Sequence, residues 1–189
     1  MRVLWVCNII LPEIARAMGC GNIPSVGGWM TGMWKAIRQL PGITLGICFP
    51  TYDKGNVSGV CEGSYYYGFR QKEMLCHSYD ENVERQLREI IECFRPDIVH
   101  IFGTEYMHSL AAVKAFGRKE HTVISIQGMV SVYAEHFMAG VPQWVQKGRT
   151  FRDIVKRDNL IHQRESFYKR AVFEREAIRL SGHVIGRTD

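Results

Sequence analysis

Residues 80–105 read DENVERQLREIIECFRPDIVHIFGTE, and this stretch decides the fold. Val83, Leu87, Ile90, Ile91 and Phe94 recur at the three- and four-residue spacing of one helix face, with Asp80 placed to cap it and Pro96 to stop it. An apolar run over 98–102 follows at once and closes on Gly103, Thr104 and Glu105. A helix feeding an apolar strand that ends in a polar loop is the repeating unit of a parallel sheet covered by helices.

The same pattern recurs on both sides. Apolar runs at 3–7, 43–49, 123–126 and 183–185 also end in polar or glycine-containing loops, and most are separated by helix-like stretches. The prediction is an α/β domain of three layers, α/β/α, with a mainly parallel sheet whose carboxyl edge collects the functional loops. Met30, Met33, Trp34, Ile37 and Leu40 predict a helix from near Gly28 to Pro41 and Gly42, after a long loop over 9–26. The second strand is expected to end at Pro50, and Tyr65, Tyr67 and Phe69, alternating around Gly63 and Ser64 within 55–70, predict an added β-hairpin. Leu110, Val113 and Phe116 mark a helix that stops at Gly117, and the 30 residues after Gly128 read as irregular or weakly helical. Asp158 or Asn159 caps a last helix packed through Leu160, Phe167, Ala171 and Ile178, which ends at Ser181 with Gly182 at C′. The final strand runs into a polar loop at Asp189, so the sequence reads as cut from a longer polypeptide.

With 189 residues, 46% hydrophobic and 23% charged, the chain suits one globular domain and neither a disordered segment nor a coiled coil. Residues 2–17 loosely resemble a signal peptide, but Asn8 interrupts the apolar run and a buried first strand fits better. No uncharged apolar stretch approaches the roughly 20 residues of a membrane span, so a soluble cytoplasmic chain is expected. Six cysteines, at 7, 20, 48, 61, 76 and 93, form no CxxC pair and read as buried, reduced thiols, with no metal site.

The whole net charge of +5 resides in residues 143–180, which hold ten Lys or Arg against five acids. Spacings such as Asp153 with Lys156 and Glu165 with Lys169 read as a solvated helix face, and a peripheral membrane contact through the basic helices of 147–179 is the alternative. Nucleic acid is not expected as a partner, because acids interleave with the bases.

Candidate chemistry clusters after strands. The glycine-rich segment over 25–31 places Gly27, Gly28 and Trp29 at a helix start, where backbone N–H groups favour a phosphate. It is no Walker loop, and it stands too far from the first strand for a dinucleotide fingerprint. Glu105, beside Thr104, is placed to take a hydroxyl proton or bind a sugar, or else to complement the dipole of the next helix. Gln127 and Gly128 put an amide where a polyol both donates and accepts, and Arg187 offers a planar fork to phosphate or carboxylate. His100, inside a strand, reads as a satisfied core histidine. No nucleophile elbow, HExxH or Cys–His arrangement occurs.

The segments SVGGWMTG (25–32), PDIVHIFGTEY (96–106), VISIQGMVSVYAEHF (123–137) with GVP (140–142), and FEREAIRLSGHVIGRTD (173–189) together resemble the N-terminal half of a bacterial family 4 glycosyltransferase of the GT-B fold. The resemblance implies a Rossmann-like, acceptor-binding domain, completed by a second domain of the same polypeptide that binds the nucleotide sugar. It implies retaining transfer with no metal and no cofactor, onto a glycan or lipid-linked acceptor of surface polysaccharide synthesis. Gly27, Gly28 and Trp29 would then face the donor phosphates, and Thr104, Glu105, Gln127, Gly128 and Arg187 would border the acceptor, with Glu105 and Gln127 as the catalytic candidates. Gln127 stands where many relatives carry histidine, and the paired glutamates of the second domain have no counterpart, so the chain alone is expected to be inactive. Two other readings stay open: a non-catalytic module that binds a sugar or nucleotide, and, more distantly, an NAD enzyme with Asp53 as its ribose acid.

Overall fold

The computed structural model describes residues 1–23, 28–52, 55–148, 151, 153 and 159–186. Among them a seven-stranded sheet forms from β1 (Arg2–Val6), β2 (Thr44–Thr51), β3 (Val57–Cys61), β4 (Ser64–Arg70), β5 (Ile98–Phe102), β6 (Thr122–Ser125) and β7 (His183–Ile185), in the order β3, β4, β2, β1, β5, β6, β7. All neighbours run parallel except β3 and β4. Successive residues of β1 face opposite sides, as a strand requires. Leu4 and Val6 join the core under α3 (Glu81–Phe94), α4 (Met107–Phe116) and α7 (Leu160–Leu180), whereas Trp5 and Cys7 join the core under α1 (Pro12–Ala17) and α2 (Gly28–Ile37). The result is the three-layer, Rossmann-like α/β/α fold. Each fully buried large side chain, such as Trp5, Trp34, Phe49 or Phe102, contributes on the order of 1.5–3 kcal/mol through removal from water.

The predicted hairpin is present, and its two-residue turn has positive φ at Glu62 (46°) and Gly63 (81°), the combination that matches strand twist. The buried Trp34 indole donates to Ser64 Oγ at 2.9 Å and so pins α2 to that hairpin. The Asp80 side chain caps α3 by accepting from Asn82 N at 3.0 Å. On α7 the cap is Asn159, which accepts from His162 N at 2.9 Å; Asp158 lies outside the described residues.

Several expectations need correction. The loop over 9–26 contains α1, six residues long with Pro12 in its first turn, too short to show a period. The connection between β6 and α7 is weakly helical, as expected: among the described residues it holds the short helices α5 (Val130–His136) and α6 (Gln143–Lys147). Strand β2 runs through Pro50 because β1 pairs only as far as Cys48, so the missing N–H of Pro50 faces no partner strand. Gly182 stands at C′ of α7 as expected, without a positive φ. It is required for close approach, since a Cβ there would stand 2.6 Å from the Lys119 carbonyl oxygen that its own N–H meets at 3.0 Å. Cys93 is exposed and Cys20 half-buried, so only Cys7, Cys48, Cys61 and Cys76 are the buried thiols expected of all six.

Candidate functional site

The chain leaves β1 toward β2 on one side and returns to β5 on the other, so the order of strands switches between β1 and β5. Crevices of open α/β sheets form at that point, above the carboxyl ends. Asn8 follows β1 and Glu105 follows β5, and the Asn8 Nδ2 group lies 3.2 Å from Glu105 Oε2 across the switch. A cavity of about 250 Å³ opens here, lined by Asn8, Ile9, Trp29, Met30, Glu105, Tyr106 and Gln127. A second of about 400 Å³ shares Trp29 and Gln127 and continues past Phe102 and Ser125 to Ile185 and Gly186.

Of the predicted site residues, the fold therefore brings Trp29, Glu105 and Gln127 to one cleft. Trp29 is 42% exposed and meets Phe102 edge-on, with ring centroids 5.7 Å apart. Gln127 is exposed at the end of β6. Gly28 opens α2 and Gly128 lies against the Tyr133 ring. Thr104 does not reach the cleft: it is 1% exposed, and its hydroxyl donates to Glu174 Oε2 at 2.8 Å. Gly27, Asp53 and Arg187 lie outside the described residues.

Glu105 is held in place by its surroundings. Arg170 donates to its carbonyl oxygen at 3.3 Å, and the neighbouring Gly103 carbonyl accepts from Ser109 Oγ at 2.9 Å. Burial pushes the Glu105 carboxyl above the usual carboxylate range, although the Asn8 amide and the backbone N–H groups of Thr104 and Glu105 pull the other way. His100 is satisfied by Ser125 Oγ at 2.7 Å, and burial lowers its pKa to about 4, the passive core histidine the sequence predicts.

The residues that sequence reading missed are polar and inward-facing. Glu174 is 0% exposed and accepts from Val130 N, Ser131 N and Thr104 Oγ1, each at 2.8 Å, tying α7 to α5 and to the loop after β5. Arg170, counted in the basic face, is instead buried beside the Phe167 ring, 4.5 Å from its centroid. Arg175 pairs with Glu135 at 2.8 Å, while Glu165 and Lys169 form no ion pair among the described residues. Next to the cleft, a cavity of about 380 Å³ is lined by Asn8, Asn22 and Tyr52. The buried Tyr52 hydroxyl has no hydrogen-bond partner among the described residues, and burial pushes its pKa up to about 12.

Among the described residues no three His, Cys, Asp or Glu side chains converge as metal ligands would, and no helix is long and apolar enough to cross a membrane. No protein-family model matches this chain, and no curated protein matches it.

Proposed function

We propose that this chain is the acceptor-binding half of a retaining glycosyltransferase that moves a sugar from a nucleotide-sugar donor to a glycan or lipid-linked acceptor of surface polysaccharide. The observation that carries this reading is the convergence of Trp29, Glu105 and Gln127 on one cleft at the β1/β5 switch. An exposed indole offers an apolar face to a sugar ring, and a carboxyl and an amide together accept from and donate to its hydroxyls. Glu105 and Gln127 are the catalytic candidates in this reading, and the backbone donors around Gly27 and Gly28 stabilise the leaving phosphate. A second, nucleotide-sugar-binding domain of the same polypeptide supplies the opposite wall, which transfer needs to exclude water. The enzyme works at the cytoplasmic face of the membrane, through the basic helices of 147–179.

The test is a ¹⁵N titration of the 189-residue chain with a panel of soluble oligosaccharides and with uridine diphosphate. Shifts on the Trp29 indole and the Gln127 amide are expected, with at least fivefold weaker binding in Glu105→Ala and Gln127→Ala. Saturable shifts confined to another surface, such as the pocket between the hairpin and α3 lined by Val57, Tyr67 and Gln86, refute the site. Transfer of labelled sugar by this chain alone refutes the reading of it as half an enzyme, and binding without transfer by any longer form favours a non-catalytic module.

A further inference from the structure

We propose that a partly buried chain of side chains, Gln71 to His108 to Asn8 to Glu105, holds one proton at neutral pH and keeps Glu105 as an uncharged carboxylic acid. The geometry dictates the proton count from the far end. Gln71 Nε2 donates to the backbone carbonyls of Glu73 at 2.7 Å and Met74 at 3.4 Å, which can only accept. Its Oε1 therefore faces His108 Nδ1, 3.0 Å away, as an acceptor, and Nδ1 carries a hydrogen. His108 Nε2 lies 3.0 Å from the Asn8 amide, and that amide lies 3.2 Å from Glu105 Oε2.

Two arrangements with a single proton satisfy this chain. With Asn8 Oδ1 toward His108 and Nδ2 toward Glu105, as the structure has it, the ring is an imidazolium and Glu105 a carboxylate. A half-turn of the Asn8 amide exchanges its two ends, and the ring is then neutral with the proton on Glu105. Both hold one proton, and its loss sets two lone pairs against each other in a buried site.

The surroundings choose the second arrangement. His108 is buried with Phe69 edge-on and the ring of Tyr106 stacked beside it, and among the described residues no carboxylate pairs with it to balance a charge. Facing Glu105 are the Glu174 carboxylate, which opposes ionisation, the backbone N–H groups, which favour it, and the Asn8 amide, which favours it through Nδ2 in the first arrangement and opposes it through Oδ1 in the second. The Arg170 guanidinium reaches the Glu105 carbonyl, and the Tyr106 phenol stands beside both. Burial drives the His108 pKa down to about 3 and the Glu105 carboxyl upward, in line with the neutral pair. Gly103, at φ 88°, leaves the space this contact needs: a Cβ there would collide with Glu105 Oε2 and stand 2.6 Å from Asn8 Nδ2.

The consequence for the cleft, which rests on the function proposed above, is a Glu105 that accepts a sugar hydroxyl without repelling a neighbouring phosphate. ¹³C titration of the Glu105 carboxyl in the full chain tests the proton assignment without any ligand. A carboxyl still protonated at pH 7 is expected, where a free glutamate is ionised, with His108 neutral and protonated at Nδ1 from pH 5 to 8 by ¹⁵N spectra. In Asn8→Ala the Glu105 midpoint falls by at least one pH unit. A Glu105 carboxylate, or a His108 imidazolium, in the wild type at pH 7 overturns the assignment even if Asn8→Ala does not fold. Failure here leaves saccharide binding untouched, and absence of saccharide binding leaves these titrations as they are.

Discussion

Glu174→Gln is the substitution that most directly probes how the site is braced. The carboxylate is fully buried and accepts three hydrogen bonds of 2.8 Å, two of them from the first N–H groups of α5. Glutamine keeps the shape but turns one acceptor into a donor. With Nε2 in the Oε1 position it faces Ser131 N–H; in the Oε2 position it faces Val130 N–H, and only the Thr104 hydroxyl can rotate to accept. Either way one buried backbone N–H loses its partner, at a cost of about 1–3 kcal/mol. For a domain of this size each kcal/mol lowers Tm by about 2–4 °C, so a midpoint near 2 kcal/mol predicts a fall of roughly 4–8 °C.

Glu174→Leu orphans both N–H groups, and about twice that fall is expected. Thermal unfolding followed by circular dichroism measures both, and a Thr104→Val, Glu174→Gln cycle isolates the hydroxyl bond. A Glu174→Gln variant melting within 1 °C of the wild type refutes the reasoning: the cost of burying the charge would then cancel its three hydrogen bonds.

Two further outcomes follow from the charges. His108 and His100 are held neutral in the fold, with pKa values of about 3 and about 4 against about 6.5 unfolded, so below pH 6.5 the unfolded state binds more protons and stability falls as pH falls. Glu105 contributes the opposite slope, because its raised pKa favours the fold at low pH and that gain is lost as pH rises through its folded pKa. The urea midpoint is expected to be lower at pH 5 than at pH 6.5, with a smaller difference in His100→Gln; an unchanged or higher midpoint at pH 5 would count against buried neutral histidines. For the membrane contact, Trp144 at 79% and Phe151 at 84% exposure flank Lys147, so flotation with anionic vesicles at low salt should retain the protein and Trp144→Ala should reduce retention. Equal retention by neutral vesicles would remove the electrostatic part of that idea.

The strands and the long helices were legible because each follows one period. Leu4 and Val6 against Trp5 and Cys7, or Val83, Leu87 and Phe94 on α3, are spacings that local geometry imposes. The carboxyl-edge position of Glu105 and Gln127 came with the strands they follow. What the letters concealed is polar burial. Arg170 and Glu174 sit on the packed face of α7 with Ala171 and Ala177, yet any reading by residue type places an arginine and a glutamate in water. The chain from Gln71 to Glu105 was equally hidden, because its partners are 37, 100 and 97 residues apart and meet only once the sheet is ordered. Most described charges of the basic segment do face solvent, and net charge carries no information about which two, Arg170 and Glu174, turn inward.

The inward-facing groups explain why the loop after β5 is suited to a site. Each of its residues is tied from a different direction: Gly103 O by Ser109 of α4, Thr104 Oγ1 by Glu174 of α7, Glu105 O by Arg170 one turn earlier on the same helix, and Glu105 Oε2 by Asn8 after β1. A polar loop without such ties would sample many conformations and would lose that freedom again on binding each ligand. Here the ordering cost is met during folding, and three of the groups that meet it, Ser109, Arg170 and Glu174, are buried. Glu105 can therefore present one orientation to whatever enters beside Trp29 and Gln127, and the stability of α7 and the geometry of the cleft become one property. That coupling makes the Glu174 variants informative about the site as well as the fold: if the loop is braced as described, Glu174→Gln weakens saccharide binding at the cleft although Glu174 touches no ligand-facing surface.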